Sequence, residues 1–213
     1  MYRIECFVII LQVIYYLIHH RDPRHVHPDL LAILKAGDGN ATSKKDPEIR
    51  RRELSAASLP HLLRHLATHV PEMIKTKKGA VAIYTILEAC EGKDDVTEAK
   101  DAFNAVIDLI SAPFDASADA ESFHPVGDAG GHLCVKKIIQ QNSSFAPRLL
   151  ERVTDDQLRS WSSCNRGCYV LLALVEHANE DVTKRMKAAL ESIKAALGGS
   201  DFSGAKLLTT KLQ

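Results

Sequence analysis

The sequence has no excess charge of either sign: 27 lysines and arginines are matched by 27 aspartates and glutamates over 213 residues. Composition therefore supplies no general attraction to a polyanion, and any basic surface must come from where the charges fall. The chain also lacks a G-x-S-x-G elbow, a G-x-x-x-x-G-K phosphate loop, a dinucleotide fingerprint and an H-E-x-x-H zinc helix. Those absences remove the main hydrolase, nucleotide-dependent and metalloprotease readings and lead to the expectation of a binding protein that is not an enzyme. The five cysteines, Cys6, Cys90, Cys134, Cys164 and Cys168, are odd in number and lie mostly in apolar helical stretches. Reduced thiols in an intracellular compartment account for them most simply. His132, Cys134, Cys164 and Cys168 are of the right types for zinc but contain no paired C-x-x-C knuckle, so small packing residues are expected there, with no metal and no cofactor. Gly37-Asp38-Gly39-Asn40 is only superficially like a calcium loop, because the later bidentate glutamate is missing.

No apolar run approaches the roughly 20 residues of a membrane span. The longest, FVIILQVIYYLI at 7–18, is interrupted by Gln12, ends in His19-His20-Arg21-Asp22-Pro23 and has no small-residue cleavage site after it. Residues 1–20 are therefore expected to be an apolar core helix, the end of a preceding repeat or a misassigned start, in a chain that is a fragment.

What the sequence does have is a repeat. AGGHLCVKKIIQQ at 129–141, NRGCYVLLALVEHA at 165–178 and FSGAKLLTTKL at 202–212 place Gly131, Gly167 and Gly204 at intervals of 36 and 37 residues. Each glycine precedes an apolar helical stripe, so the unit is read as a helical hairpin whose second helix starts at the glycine, and the array as an α-solenoid. KKGAVAIYTILEAC at 77–90 is a fourth copy, and the 52 residues from Gly79 to Gly131 imply an insertion, assigned to 111–128.

The remaining segments also read as helices, and no convincing strand is present. Pro28 to Lys35 is a short helix stopping at the Gly37–Asn40 turn, and Asp46-Pro47 opens another through IRRRELSAA. Pro60 is expected to start a new helix, HLLRHLATHV, and Pro71 to break the chain. Asp94 or Asp95 is the expected cap of 96–111, and Asn179 of a helix running to Leu197 before Gly198-Gly199. His61, His65 and His69 recur every four residues beside a leucine stripe, which suits a polar, titratable helix face better than a metal site. The expected organisation is 1–20, a linker with a short helix over 21–46, and a helical repeat domain over 47–213.

These repeats resemble Pumilio (PUF) repeats. RDPRHVHPDLLAILKAGDGNATSKKDPEIRRREL at 21–54, GGHLCVKKII and LRSWSSCNRG at 158–167 are similar to the Puf-A/Penguin group and its C-terminal CPL region, from about residue 13 onward. Residues 1–12 depart from the pattern, and the Pumilio repeats that precede this region in the family are absent. The resemblance implies a right-handed, all-α solenoid in a nuclear, chiefly nucleolar, monomer. It also implies binding of rRNA or mRNA, and of DNA, with roles in large-subunit ribosome assembly, alongside ribosome-assembly proteins, and in translational regulation.

In a base-reading repeat of that family, the two residues after the glycine and the one three positions further on face the RNA. Here the trios are Ala80, Val81 and Tyr84; His132, Leu133 and Lys136; Cys168, Tyr169 and Leu172; Ala205, Lys206 and Thr209. None has an acid or amide at the third position, and Tyr169 alone stands where a base would stack, so any recognition is expected to run through phosphates. The candidate contacts are Lys44, Lys45, Arg50, Arg51, Arg52, Lys75, Lys77, Lys78, His132, Lys136, Lys137, Tyr169 and Lys206. Arg50, Arg51 and Arg52 occupy successive helix positions about 100° apart, so they do not all face one ligand, and one is expected to pair with Glu48 or Glu53. The competing reading is a helical scaffold that docks a protein partner in the nucleolus, with the basic groups incidental; an exposed apolar groove would favour it.

Overall fold

The computed structural model describes residues 12–38, 45–92, 96–117, 122–177 and 179–212, and every regular element among them is a helix. Chain contacts divide the protein into two compact units, Met1–Arg64 and His65–Gln213.

In the first unit, α1 covers 12–18, α2 covers Pro28–Asp38, and α3, Pro47–Met73, begins. Part of the expected apolar helix at 7–18 falls outside the described residues; from 12 onward it is helical, with Tyr15 and Ile18 buried. No described helix is long and apolar enough to cross a membrane. After α1 the chain reverses at Arg21, whose φ of 59° is unusual for a residue with a side chain. Its guanidinium donates to the Leu34 carbonyl at 3.1 Å and to Asp38 Oδ1 at 2.7 Å, closing the C-terminal end of α2. That arginine, hydrogen-bonded to Asp38, holds the carboxyl below the usual carboxylate range. α2 runs past Lys35 through Gly37 to Asp38, longer than its turn residues suggested. Asp46 caps α3 as expected, its Oδ1 accepting from the amides of Glu48 at 2.8 Å and Ile49 at 3.1 Å.

Pro60 and Pro71 do not divide α3, which continues for 27 residues. An interior proline costs about 3 kcal/mol, through a lost N–H bond and a clash with the carbonyl four residues back. For Pro60 that residue is Ala56, which is exposed. Leu59, Leu63, Leu66 and Val70 form one buried stripe across the proline. At about 1.5–3 kcal/mol per buried apolar side chain, the stripe outweighs the break.

The second unit takes in the end of α3, then α4 (Lys77–Glu88), α5 (Thr97–Ile110), α6 (Gly131–Gln141), α7 (Phe145–Arg152), α8 (Asp155–Trp161), α9 (Asn165–His177), α10 (Glu180–Glu191), α11 (Lys194–Gly198) and α12 (Ser203–Lys211). The glycine-led helices α4, α6, α9 and α12 pack side by side in chain order as one layer. A second layer is built from α5, α7 and α10, with α8 set between α9 and α10 and α11 against α12. Phe103, Phe145 and Trp161 are fully buried, with the two phenylalanine rings 6.1 Å apart.

Each repeat glycine lies in the first turn of its helix, at its third residue in α4 and α9. The reason is a close approach to backbone. A Cβ at Gly79 would overlap the Met73 carbonyl oxygen and one at Gly167 the Trp161 oxygen, while at Gly131 it would lie 2.6 Å from the Pro125 oxygen. In all three the obstructing carbonyl is six residues upstream. Gly204 differs: its Cβ would meet Asn165 of the preceding repeat, the carbonyl oxygen at 2.9 Å and the side-chain oxygen at 3.0 Å.

Two other expectations change. Asp94 and Asp95 lie outside the described residues, and α5 starts after Val96, which makes no side-chain cap. The helix capped by Asn179 stops at Glu191 instead of running to Leu197. Arg159 Nε donates to the Ala189 carbonyl at 2.9 Å, and the Ile193 amide turns to Leu190 O at 3.1 Å, so the ladder tightens and breaks.

The described part of the 111–128 insertion is irregular, as expected, and is pinned by His124. The ring is buried against Phe114, centroids 5.0 Å apart, with Nε2 3.1 Å from the Ala112 carbonyl and Nδ1 accepting from the Val126 amide at 3.2 Å. Only the neutral ring with its proton on Nε2 satisfies both contacts. Burial pushes its pKa below the ordinary histidine value of 6.5.

Gly167→Ala is expected to lower stability by about 1–3 kcal/mol in urea unfolding, whereas Gly198→Ala, whose Cβ has no neighbour nearer than 3.8 Å, stays within about 0.5 kcal/mol of the parent. Because the folded pKa of His124 lies below its unfolded value, the unfolded chain binds more protons. Its contribution to stability is full above about pH 6.5 and is lost as pH falls through the folded pKa. His124→Gln is expected to give a shallower loss of stability between about pH 7 and 5, read by thermal melts across that range.

Candidate functional site

The layer of glycine-led helices presents a groove between α4 and α6. It has a volume of about 410 Å³ and is lined by Lys77, Ala80, Val81, Tyr84, Gly130, Leu133, Cys134, Lys136, Lys137 and Gln140. The side chains arrive there through helical spacing: Leu133, Lys136, Lys137 and Gln140 follow at i, i+3, i+4 and i+7 along α6. Thr76 fixes the start of α4, its hydroxyl accepting from the Gly79 amide at 3.1 Å. Asp128 does the same for α6, its Oδ2 accepting from the amides of Gly130 and Gly131, both at 2.7 Å. The floor is apolar, with Leu133 53% exposed, and the charged groups at its edge are all lysines. Among the described residues no carboxylate pairs with Lys77, Lys136 or Lys137.

Lys136 reaches beyond the groove: its Nζ lies 5.0 Å from the centre of the Tyr169 ring on α9. The Tyr169 hydroxyl lies 3.1 Å from Ser203 Oγ at the start of α12. Tyr169 therefore ties three successive repeats together, and a cation occupies one face of the ring expected to stack a base. His132 is half-buried, its Nδ1 2.8 Å from the Asp128 carbonyl. Burial above all, with a smaller effect of Arg166 and Lys136, holds its pKa below the usual imidazole value.

The other candidates are dispersed. Lys75 sits over Phe123 at 5.7 Å, while Lys78, the second residue of α4, and Lys206, on α12, are exposed and outside the groove. In the first unit, Lys44 lies outside the described residues, Lys45 pairs with Glu53, and Arg51 Nε pairs with Glu48 at 3.0 Å, the kind of pairing expected of one arginine in this run. Arg50 donates to the Lys45 carbonyl at 3.3 Å and Arg52 is exposed. Sequence reasoning missed Gln140, which the i+7 step from Leu133 would have found. It also missed Arg166, beside a repeat glycine, whose guanidinium donates to the Gly127 carbonyl at 2.9 Å.

Three of the four first residues of the trios are buried, and His132 is half-buried. Ala80, Cys168 and Ala205 are buried, and Leu172 is only 8% exposed. Tyr84, Lys136, Leu172 and Thr209 give the third positions no fork of donor and acceptor for a base edge. The cysteines pack: the Cys134 thiol donates to the Ala80 carbonyl at 3.3 Å and the Cys168 thiol to Ser162 O at 3.4 Å. Burial pushes these thiols up to about 12 and about 11, keeping both protonated, and no group of three or more His, Cys, Asp or Glu side chains is placed to hold a metal among the described residues. His65 and His69 stack at 4.2 Å on the exposed face of α3.

Comparison with known proteins agrees with this architecture. Residues 12–146 match the CPL (NUC119) domain. Pumilio homolog 3 of Homo sapiens is 34% identical over 212 residues, covering 94% of this chain and 32% of the relative. Protein penguin of Drosophila melanogaster is 37% identical over 94 residues, 41% of this chain and 13% of that protein. A crystal structure of human Puf-A superposes with a TM-score of 0.84 at 32% identity, over 94% of this chain and 39% of that one. A second, of human Puf-A in complex with DNA, gives 0.81 at 32% identity, over 93% and 38%. The chain thus spans about a third of the length of the curated relatives it matches. With the family domain matched over more than half its length and the Pumilio-type helical fold matched over nearly all of it, the chain belongs to the CPL (NUC119) domain family, among the Pumilio-homology proteins of the Puf-A/Penguin type.

Proposed function

We propose that this chain is a non-enzymatic nucleic-acid-binding module that holds RNA by its phosphates with little regard to sequence. The observation that carries the reading is the close fold match to human Puf-A, a protein seen in complex with DNA. The groove supports it: Lys77, Lys136 and Lys137 converge without a competing carboxylate among the lining residues, which suits a phosphate run. The trio positions argue against a base code, since their first residues are mostly buried and their third residues carry no amide or acid. Lysines on a helical surface supply charge without directional readout, so phosphate contacts position the chain and sequence goes unread.

By its relationship to Puf-A and Penguin proteins, we further propose that the full protein works in the nucleus, chiefly the nucleolus, on rRNA during large-subunit assembly. A role in translational regulation of messages belongs to the same proposal. The module acts as a monomer, with ribosome-assembly proteins as neighbours.

Fluorescence anisotropy with several unrelated single-stranded and duplex RNAs at two salt concentrations tests the binding. Three lysine–phosphate contacts predict a slope of about −2 to −3 in log affinity against log salt. Lys136→Glu combined with Lys137→Glu is expected to weaken all the RNAs alike, by about tenfold or more, and to flatten that slope. A folded protein that binds none of them at low salt overturns the reading.

A further inference from the structure

We infer that the groove between α4 and α6 is also a docking site for an acidic peptide segment carrying an aliphatic or aromatic anchor side chain. Two features point to that occupant. The floor is apolar, formed by Ala80, Val81, Leu133 and the ring of Tyr84, with the amide of Gln140 beside it. A solvent-facing leucine on such a floor contributes to affinity only when an apolar group covers it. The rim then sets the sign of the partner: the charged lining residues are Lys77, Lys136 and Lys137, with no acid among them. Two other cavities of this unit lack that combination. One, of about 610 Å³ beside the insertion, mixes Asp115 and Asp128 with Arg166. The other, of about 310 Å³, sets Glu151 among Lys100, Arg148 and Arg152.

The occupant follows from charge and shape together. Carboxylates flanking an anchor residue pair with lysines on both helices while the anchor enters between Val81 and Leu133, as anchor residues do in grooves between packed helices. This goes beyond the nucleic-acid reading and shares Lys136 and Lys137 with it. The apolar floor separates the two.

The probes are a fluorescent nonapeptide with one central phenylalanine flanked by four acidic residues on each side, the same peptide with serine in place of phenylalanine, and a polyuridine 20-mer. Each is titrated against the parent chain, Leu133→Ser and Lys136→Glu/Lys137→Glu. Leu133 is exposed, so Leu133→Ser keeps the fold; circular dichroism checks this, and Val81→Ser is the second floor variant. The expected result is that the phenylalanine peptide binds at least about tenfold more tightly than the serine peptide. Leu133→Ser removes that advantage, while the double charge reversal weakens the peptide. Equal affinity for the two peptides, or a phenylalanine advantage that survives both floor variants, overturns the inference. So does a floor variant that weakens polyuridine and spares the peptide, which assigns the floor to a nucleotide. Failure of polyuridine to bind the parent sinks the nucleic-acid reading alone and leaves the peptide comparison intact.

Discussion

In three of the four hairpins the first turn of the inner helix rests on a backbone carbonyl six residues upstream, with room for a hydrogen atom and no more. Met73 and Trp161, which provide two of those carbonyls, are the last residues of α3 and α8, so the contact fixes where each inner helix leaves its partner. Everything on the layer of glycine-led helices inherits that geometry. Gly79 and Gly131 seat α4 and α6 with the small residues Ala80, Gly130 and Cys134 between them, and the larger side chains Val81, Tyr84 and Leu133 line the groove above. A methyl group at one glycine would push its helix outward. Because neighbouring repeats share an interface, the displacement would pass to the next helix in the layer.

The second layer solves a different problem. Each of its helices ends in carbonyls without an intrahelical partner. Side chains from other elements supply the donors. Gln157 Nε2 reaches the Ser111 carbonyl after α5 at 2.6 Å, and Arg185 donates to Leu150 O and, at 2.7 Å, to Val153 O at the end of α7. Arg159 does the same for α10. These arginines therefore act as caps carrying positive charge to the negative ends of helix dipoles. They are not part of a basic surface, although composition alone counts them with the groove lysines.

The repeat was legible because its signal is steric and periodic: a glycine every 36 or 37 residues followed by an apolar stripe leaves few alternatives. The insertion was legible for the same reason, as an error in that period. Local punctuation misled. Pro60 marks a helix start by propensity, yet the burial of Leu59, Leu63, Leu66 and Val70 on one face carries α3 straight through. The break after Glu191 carries no proline or glycine signal, since it depends on Arg159, thirty residues upstream. At the site, charge type could be read but pairing could not. Lys45 and Arg51 are engaged with Glu53 and Glu48, while Lys77, Lys136 and Lys137 gather in one groove, a difference set by helix packing. His124 gave no sequence signal because its role rests on two backbone partners in an irregular segment.

The same packing explains why the face suits phosphate or carboxylate and not a base. A base-reading surface needs a residue free to stack and a fork to hydrogen-bond beside it. Here the stacking residue, Tyr169, is bound between Lys136 and Ser203, and the third position of its own trio is the buried Leu172. Withdrawing Lys136 from the ring to meet a base would forfeit about 0.5–1 kcal/mol of cation–π attraction and gain no directional partner. Meeting an anion requires no such exchange, because a lysine over a ring face keeps its outward N–H groups available. The cation–π contact thus holds Lys136 in position for an anion and occupies one face of Tyr169. Repeat packing has converted a reading position into a charge position.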